Sequence, residues 1–282
     1  MSKVLVTGSA GFLGKNLVEF LKKKSFEVSE FDKKEGQDLL REKDLKKALK
    51  NVDFICHLAA VGDIYLAAEN PVDAAISGVA GTVNLVKLSQ KYQIKKIVYA
   101  STWEVYGEPE YLPIDEKHPT NPDHPYSIAK LAGELMIRSK LYSVPWVILR
   151  LGTAYGPHMR QNAVIPVFIN LAKSGKPIKI FGTGSQTRAF VHATDITNAF
   201  YLALTKKVTN QIFNITGSEL ISILDLAKLV TKYFLTKIEF AKARIADVPP
   251  AKVTSQKATK ILAWKPVIKF KEGFEKLIQE YK

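Results

Sequence analysis

The spacing of three glycines near the start constrains this chain most. Residues 3–14 read Lys-Val-Leu-Val-Thr-Gly-Ser-Ala-Gly-Phe-Leu-Gly. Val4, Leu5 and Val6 make a short apolar run, glycines follow at 8, 11 and 14, and Phe12, Leu13, Leu17, Phe20 and Leu21 then recur with helical period. The order is strand, glycine turn, helix. Gly8 permits the tight turn, Gly11 lets a pyrophosphate approach the backbone, and Gly14 lets helix and strand pack closely, while the helix N-terminus offers unpaired N–H groups. A plain glycine turn is the alternative to a dinucleotide site. A second strand over residues 26–31 favours the site, because it ends at Asp32, 18 residues beyond Gly14. A carboxylate there accepts hydrogen bonds from an adenosine ribose and repels a 2′-phosphate, which favours NAD over NADP. Lys33 and Lys34 beside it leave room for NADP.

The strand–helix alternation continues. After Gln37-Asp38-Leu39 come a helical pattern through Leu45 and Leu49, a strand at 54–58 running into Ala59-Ala60, a helix at 78–92 with Val79, Val83, Val86 and Leu88 on one side, and strands at 96–100 and 145–151. Such alternation predicts an α/β fold, a doubly wound parallel sheet with a smaller C-terminal substrate-binding domain. We expect residues 1–152 to form the first part, joined by returning segments at about 187–217, and residues 153–282 to form mainly the second. Ligands on such sheets sit at the carboxyl ends of the strands, here Gly8 to Gly11, Asp32, Ala59-Ala60, Ser101-Thr102 and Gly152-Thr153.

Composition excludes several classes. No apolar run in the 282 residues approaches the ~18 needed for a membrane span, and the N-terminus enters a strand directly, so a soluble cytoplasmic protein is expected. Cys56 is the single cysteine, within an apolar strand, and reads as an inert thiol. The net charge of +14 suggests nucleic acid, yet only six of 41 basic residues are Arg and the Lys are spread over every predicted helix. That is a solvated surface rather than a binding stripe. His57 and His192 lie in apolar segments, and His118, His124 and His158 in loops without metal-ligand companions; none is assigned chemistry, and no metal site is expected.

Pro125-Tyr126-Ser127-Ile128-Ala129-Lys130 opens a long amphipathic helix running on through Leu131, Leu135, Ile137 and Leu141. Tyr126 and Lys130 share one helix face. An ammonium and a nicotinamide cation beside a phenol favour the phenolate, bringing a group with a free pKa of ~10 towards working pH. A packed Tyr with a solvated Lys is the other reading of this pair alone.

The order of parts then matters. Thr-Gly-Ser-Ala-Gly-Phe-Leu-Gly, Asp32, Asp38-Leu39, His57-Leu58-Ala59-Ala60, Ser101-Thr102-Trp103-Glu104-Val105-Tyr106-Gly107 and Pro-Tyr-Ser-Ile-Ala-Lys together resemble the extended short-chain dehydrogenase/reductases, specifically the nucleotide-sugar epimerase/dehydratase family with its Rossmann domain. Arg150-Leu-Gly-Thr-Ala-Tyr-Gly-Pro157, Phe181-Gly-Thr-Gly-Ser-Gln-Thr-Arg188-Ala-Phe-Val-His192 and Leu262-Ala-Trp-Lys-Pro266 extend the resemblance over nearly the whole chain. It implies that Tyr126 is the acid/base, that Lys130 binds the nicotinamide ribose and lowers the Tyr pKa, and that Thr102 holds the same sugar hydroxyl. It implies an NAD site of Gly8, Gly11, Phe12, Leu13, Gly14, Asp32, Asp38, Leu39, Leu58, Ala59 and Ala60, and sugar-nucleotide contacts from Thr153, Arg188 and Arg244. A homodimer through the helices 78–92 and 126–142 is implied too.

Four residues depart from the family pattern. Trp103 replaces the acid that 4,6-dehydratases carry there, Gly78 and Thr153 replace amides, and Ala189 replaces an Asp after Arg188. A Trp cannot protonate a departing hydroxyl, which disfavours 4,6-dehydration. The expected activity is NAD-dependent epimerisation at C4 of a nucleotide hexose; a 4-ketoreductase of a nucleotide deoxysugar, a dehydratase and a non-catalytic NAD-binding protein are the alternatives.

Overall fold

The computed structural model describes residues 1–242 and 252–281. Its strands are β1 (Lys3–Thr7), β2 (Glu27–Phe31), β3 (Phe54–His57), β4 (Lys96–Thr102), β5 (Trp146–Leu151), β6 (Thr153–Tyr155), β7 (Ile178–Phe181), β8 (Thr187–His192), β9 (Gln211–Ile215), β10 (Leu220–Ser222) and β11 (Ile238–Ala241). The helices are α1 (Phe12–Lys23), α2 (Glu42–Ala48), α3 (Ile64–Glu69), α4 (Pro71–Ala75), α5 (Gly81–Lys91), α6 (Pro125–Ile137), α7 (Val164–Lys173), α8 (Ala193–Thr205), α9 (Ile223–Thr231) and α10 (Phe270–Gln279).

The main sheet runs β2-β1-β3-β4-β5-β9, every pair parallel. Its inner strands β1, β3, β4 and β5 are short, mainly apolar runs because both faces are covered, while the edge strand β2 is largely polar. Leu17, Val18 and Leu21 of α1 pack with Phe200, Ala203 and Leu204 of α8 on one face. Leu85, Val86 and Leu88 of α5 and Ile137 of α6 cover the other. Thus α8 and β9, from beyond residue 152, belong to this body. A second core gathers Ile165 and Phe168 of α7, Leu226 and Val230 of α9 and Phe274 and Leu277 of α10. Two small sheets, β10-β8-β6 and β11-β7, accompany it.

Two expected elements differ. The helix read as 78–92 begins at α4, continues through a wider π turn at Ile76–Ala80 and becomes α5 only at Gly81. Gly78 is the close-approach point: a Cβ there would stand 3.1 Å from the Ala129 Cβ of α6. The helix expected to run through Leu141 stops at Ile137, where Arg138 caps it and a turn follows with Tyr142 N–H donating to Ser139 O. Leu141 is therefore exposed, and the buried stripe of α6 is Ser127, Ala129, Lys130, Gly133, Glu134 and Ile137.

Candidate active site

The glycine turn is built as its spacing requires. Gly8 has φ +73°, and a Cβ on it would lie 2.8 Å from Ala59 N. A Cβ on Gly14 would lie 2.0 Å from Gly8 O, so α1 seats directly on the turn. At Gly11 the only neighbour a Cβ would meet is Gly8 O at 3.1 Å, leaving the backbone approachable from outside. Asp32 joins this turn to the end of β2: its Oδ2 accepts from Ala10 N at 2.9 Å and its Oδ1 from Lys34 N at 2.9 Å. Each oxygen keeps acceptor capacity for a ribose hydroxyl. Leu39 packs on Gly81, Asn84 donates to its carbonyl, and Asp38 Oδ1 accepts from Leu40 N. This open turn, free helix N-terminus and carboxylate fit a dinucleotide.

Behind Leu58-Ala59-Ala60 lies a directional chain. Thr82 donates to Gly78 O at 2.6 Å, so it accepts from His57 Nε2–H at 2.9 Å, and Nδ1 is left to accept from Thr7 at 2.7 Å. Ala59 N–H donates to the same Thr7 hydroxyl. His57 thus ties the ends of β1 and β3 to α5, and burial pushes it down to about 3, keeping the ring neutral. His192 caps α8 through Nδ1, and His118 accepts from Glu110 N. Cys56 is buried, its thiol pushed up by desolvation. Among the described residues no three His, Cys, Asp or Glu are grouped to hold a metal.

Thr102, Tyr126 and Lys130 come together beyond the carboxyl end of β4. His124 starts α6 by accepting from Ser127 N, and its ring stacks parallel to Tyr126 with centroids 6.0 Å apart. The Lys130 Nζ donates to Ala100 O at 2.8 Å and lies 5.1 Å from the Tyr99 ring centroid. Burial pulls Lys130 down to about 8, opposed by Glu134. The Tyr126 phenol is pushed up, first by burial and then by Glu104, against the lowering effects of Arg160 and of a hydrogen bond with Thr102. The chain's own groups thus hold the phenol protonated, contrary to the expected lowering. Burial is the largest of these effects.

Glu104 stands at the same place. Its carboxylate lies 3.7 Å from His124 Nε2, and burial raises it to about 7 despite Arg188. Beyond it a small cleft is lined by Trp103, Gly152, Thr153, Thr187, Arg188, Ala189, Thr216 and Val253. The Thr187 hydroxyl is buried there without a hydrogen-bond partner among the described residues. Arg188 donates to Thr187 O. Arg244 lies outside the described residues.

Arg160 carried no sequence signal beyond the scarcity of Arg. Its Nη1 donates to Gly62 O and Asp63 Oδ2, both at 2.6 Å, and Asn162 donates to the same Asp63 oxygen. On the other side Asn16 of α1 donates to Pro157 O at 2.8 Å and His158 meets Glu19 at 3.1 Å. Residues 156–162 therefore bridge α1, the helix that follows the glycine turn, to the loop after β3.

Known proteins share this architecture. The profile of the NAD dependent epimerase/dehydratase family matches residues 4–216. The chain is 36% identical over 299 residues to the "Putative UDP-glucose 4-epimerase" of Methanocaldococcus jannaschii, covering 98% of this chain and 97% of that one. It is 31% identical to the dTDP-D-glucose 4,6-dehydratase of Bos taurus, covering 99% and 88%. The crystal structure of a UDP-glucose 4-epimerase from Thermotoga maritima with UDP-glucose superposes with a TM-score of 0.91 at 25% identity, covering 99% and 98%.

Proposed function

The chain belongs to the NAD dependent epimerase/dehydratase family, and on that premise we propose that it is a nucleotide-sugar 4-epimerase. The observation that supports the reading is the hydrogen bond of Tyr126 with Thr102 at the end of β4, one helical turn from the buried Lys130 whose Nζ donates to Ala100 O of the same strand. Thr102 holds the C4 hydroxyl and Tyr126 takes its proton. NAD, when held by the residues named below, would supply the hydride acceptor and donor that exchange at C4 needs. Lys130 donates to the nicotinamide ribose, and with the nicotinamide cation it offsets the burial that raises Tyr126. Gly8, Gly11, Phe12, Leu13, Gly14, Asp38, Leu39, Leu58, Ala59 and Ala60 line the cofactor, Asp32 selecting NAD. Arg188 and Arg244 hold the sugar diphosphate, with arginine forks suited to phosphate, and Thr153 is a substrate-side contact. Residues 1–152 with 187–217 form the NAD half and 153–282 mainly the sugar half.

Purified protein with UDP-galactose and trace NAD is expected to form UDP-glucose without net NADH. Tyr126→Phe should lower the rate about 10²- to 10⁴-fold. Stoichiometric consumption of reduced cofactor would instead indicate a ketoreductase. Glu104 beside Tyr126 is the one feature favouring a dehydratase, and a 4-keto-6-deoxy product from a dTDP-hexose would establish it.

Homodimerisation is part of the proposal. Val72 of α4 and Leu135 of α6 are 68% and 53% exposed, with Leu66, Ile76 and Ile128 exposed on the same mutually packed group of elements. Apolar side chains gathered there suit a second copy.

A further inference from the structure

The buried stripe of α6 continues from Lys130 to Glu134, one turn further along the same face. Glu134 is fully buried and Arg150 of β5 is 3% exposed. Arg150 donates to both carboxylate oxygens, Nε to Oε1 at 3.0 Å and Nη2 to Oε2 at 2.7 Å, and Ser101 Oγ donates to Oε1 at 2.5 Å. The guanidinium also lies 4.7 Å from the Tyr106 ring centroid, and the Tyr106 hydroxyl donates to Asn214. A buried ion pair is a poor source of stability, since apolar residues of similar volume often do as well. Its position is what distinguishes it: Ser101 immediately precedes Thr102 in β4, and Glu134 follows Lys130 in α6.

We propose that Glu134, fixed by Arg150 and Ser101, is a positioning residue for the reaction, setting α6 against β4 so that Tyr126 and Lys130 meet Thr102, and supplying the anion that keeps the buried Lys130 charged. This rests on Tyr126 and Lys130 acting as the reacting pair. Burial pulls Lys130 towards neutrality and Glu134 is the carboxylate that opposes it. Of the other groups around Lys130, His57 of β3 is held neutral, Tyr99 of β4 offers its ring and Tyr126 of α6 is held protonated, while Arg150 of β5 is a cation that shares the Glu134 carboxylate. Glu104 and Asp63, the other carboxylates at the site, act on Tyr126, and Glu104 is itself raised by burial.

The test follows the Cε signals of ¹³C-lysine in the full-length holoenzyme as pH is varied, the Lys130 signal being the one absent from Lys130→Met. It is expected to titrate near pH 8. In Glu134→Gln its midpoint should fall by about one pH unit. Turnover should fall about tenfold to a hundredfold with little change in KM, and the alkaline limb of the activity profile should move to lower pH. Where the orphaned Arg150 unfolds that variant, the paired Glu134→Leu/Arg150→Met, which buries no lone charge, gives the same readings. An unchanged Lys130 midpoint in a folded variant overturns the proposal. So does wild-type turnover and pH dependence in the paired variant, which would make the pair structural only. Failure of the wild type to convert any nucleotide hexose while the lysine shift persists would remove the 4-epimerase reading and leave this one standing.

Discussion

At Glu104 desolvation outweighs two cations. Arg188 and Arg160 and a hydrogen bond with Thr102 lower the carboxyl, yet burial takes it from the ordinary 4.5 to about 7. A carboxyl raised on folding costs stability as pH rises: below 4.5 both states are protonated, between 4.5 and 7 only the unfolded state ionises, and above 7 the full cost is present. Glu104→Gln is therefore expected to leave Tm unchanged near pH 4 and to stabilise by up to about 3 kcal/mol at pH 8. Thermal melts at the two pH values check this, and equal shifts at both would contradict the burial argument. Tyr126 is subject to the same forces. Its spacing from Lys130 was legible in the sequence, but the sign of its shift was not, because burial, Glu104 and Arg160 arrive from other parts of the chain.

Among elements, the segment 156–162 matters most for how the cofactor is kept. It is fastened to α1 through Asn16 and Glu19 and to the loop after β3 through Gly62 and Asp63. An enzyme that returns its hydride to the same sugar gains from holding its cofactor between turnovers, and this bridge joins the helix after the glycine turn to the loop after β3. Arg160→Ala removes two charge-assisted hydrogen bonds, one of them to a buried carboxylate, and is expected to speed NAD loss about tenfold. Residual NAD after gel filtration and the dissociation rate on dilution measure it; undiminished retention would show that the bridge does not hold the cofactor. The Gly78 departure also finds its reason at this scale. Ala129 leaves 3.1 Å for a Cβ, so the π turn and α6 approach as no larger residue at 78 would allow without a shift.

For the whole molecule, the exposed apolar side chains on α3, α4 and α6 set the expectation for assembly. Leu135→Glu places a charge on that surface and should convert a dimer to a monomer in sedimentation at micromolar concentration while far-ultraviolet circular dichroism stays unchanged; a wild-type monomer under those conditions would remove the dimer reading. The parallel sheet, the glycine turn, the carboxylate ending β2 and the shared face of Tyr126 and Lys130 were determined by the sequence alone, because each depends on periodicity or on neighbours within a few turns. The boundaries shifted where local pattern met packing, as at Leu141, whose helical spacing lost to the cap at Arg138. Tertiary structure alone decided the Arg160–Asp63 bridge, the Glu134–Arg150 pair and the meeting of Glu104 with His124. The first two join residues of different elements, which have no common period to reveal them. The Glu134–Arg150 pair is buried by side chains from the whole fold, a property no local window of sequence contains.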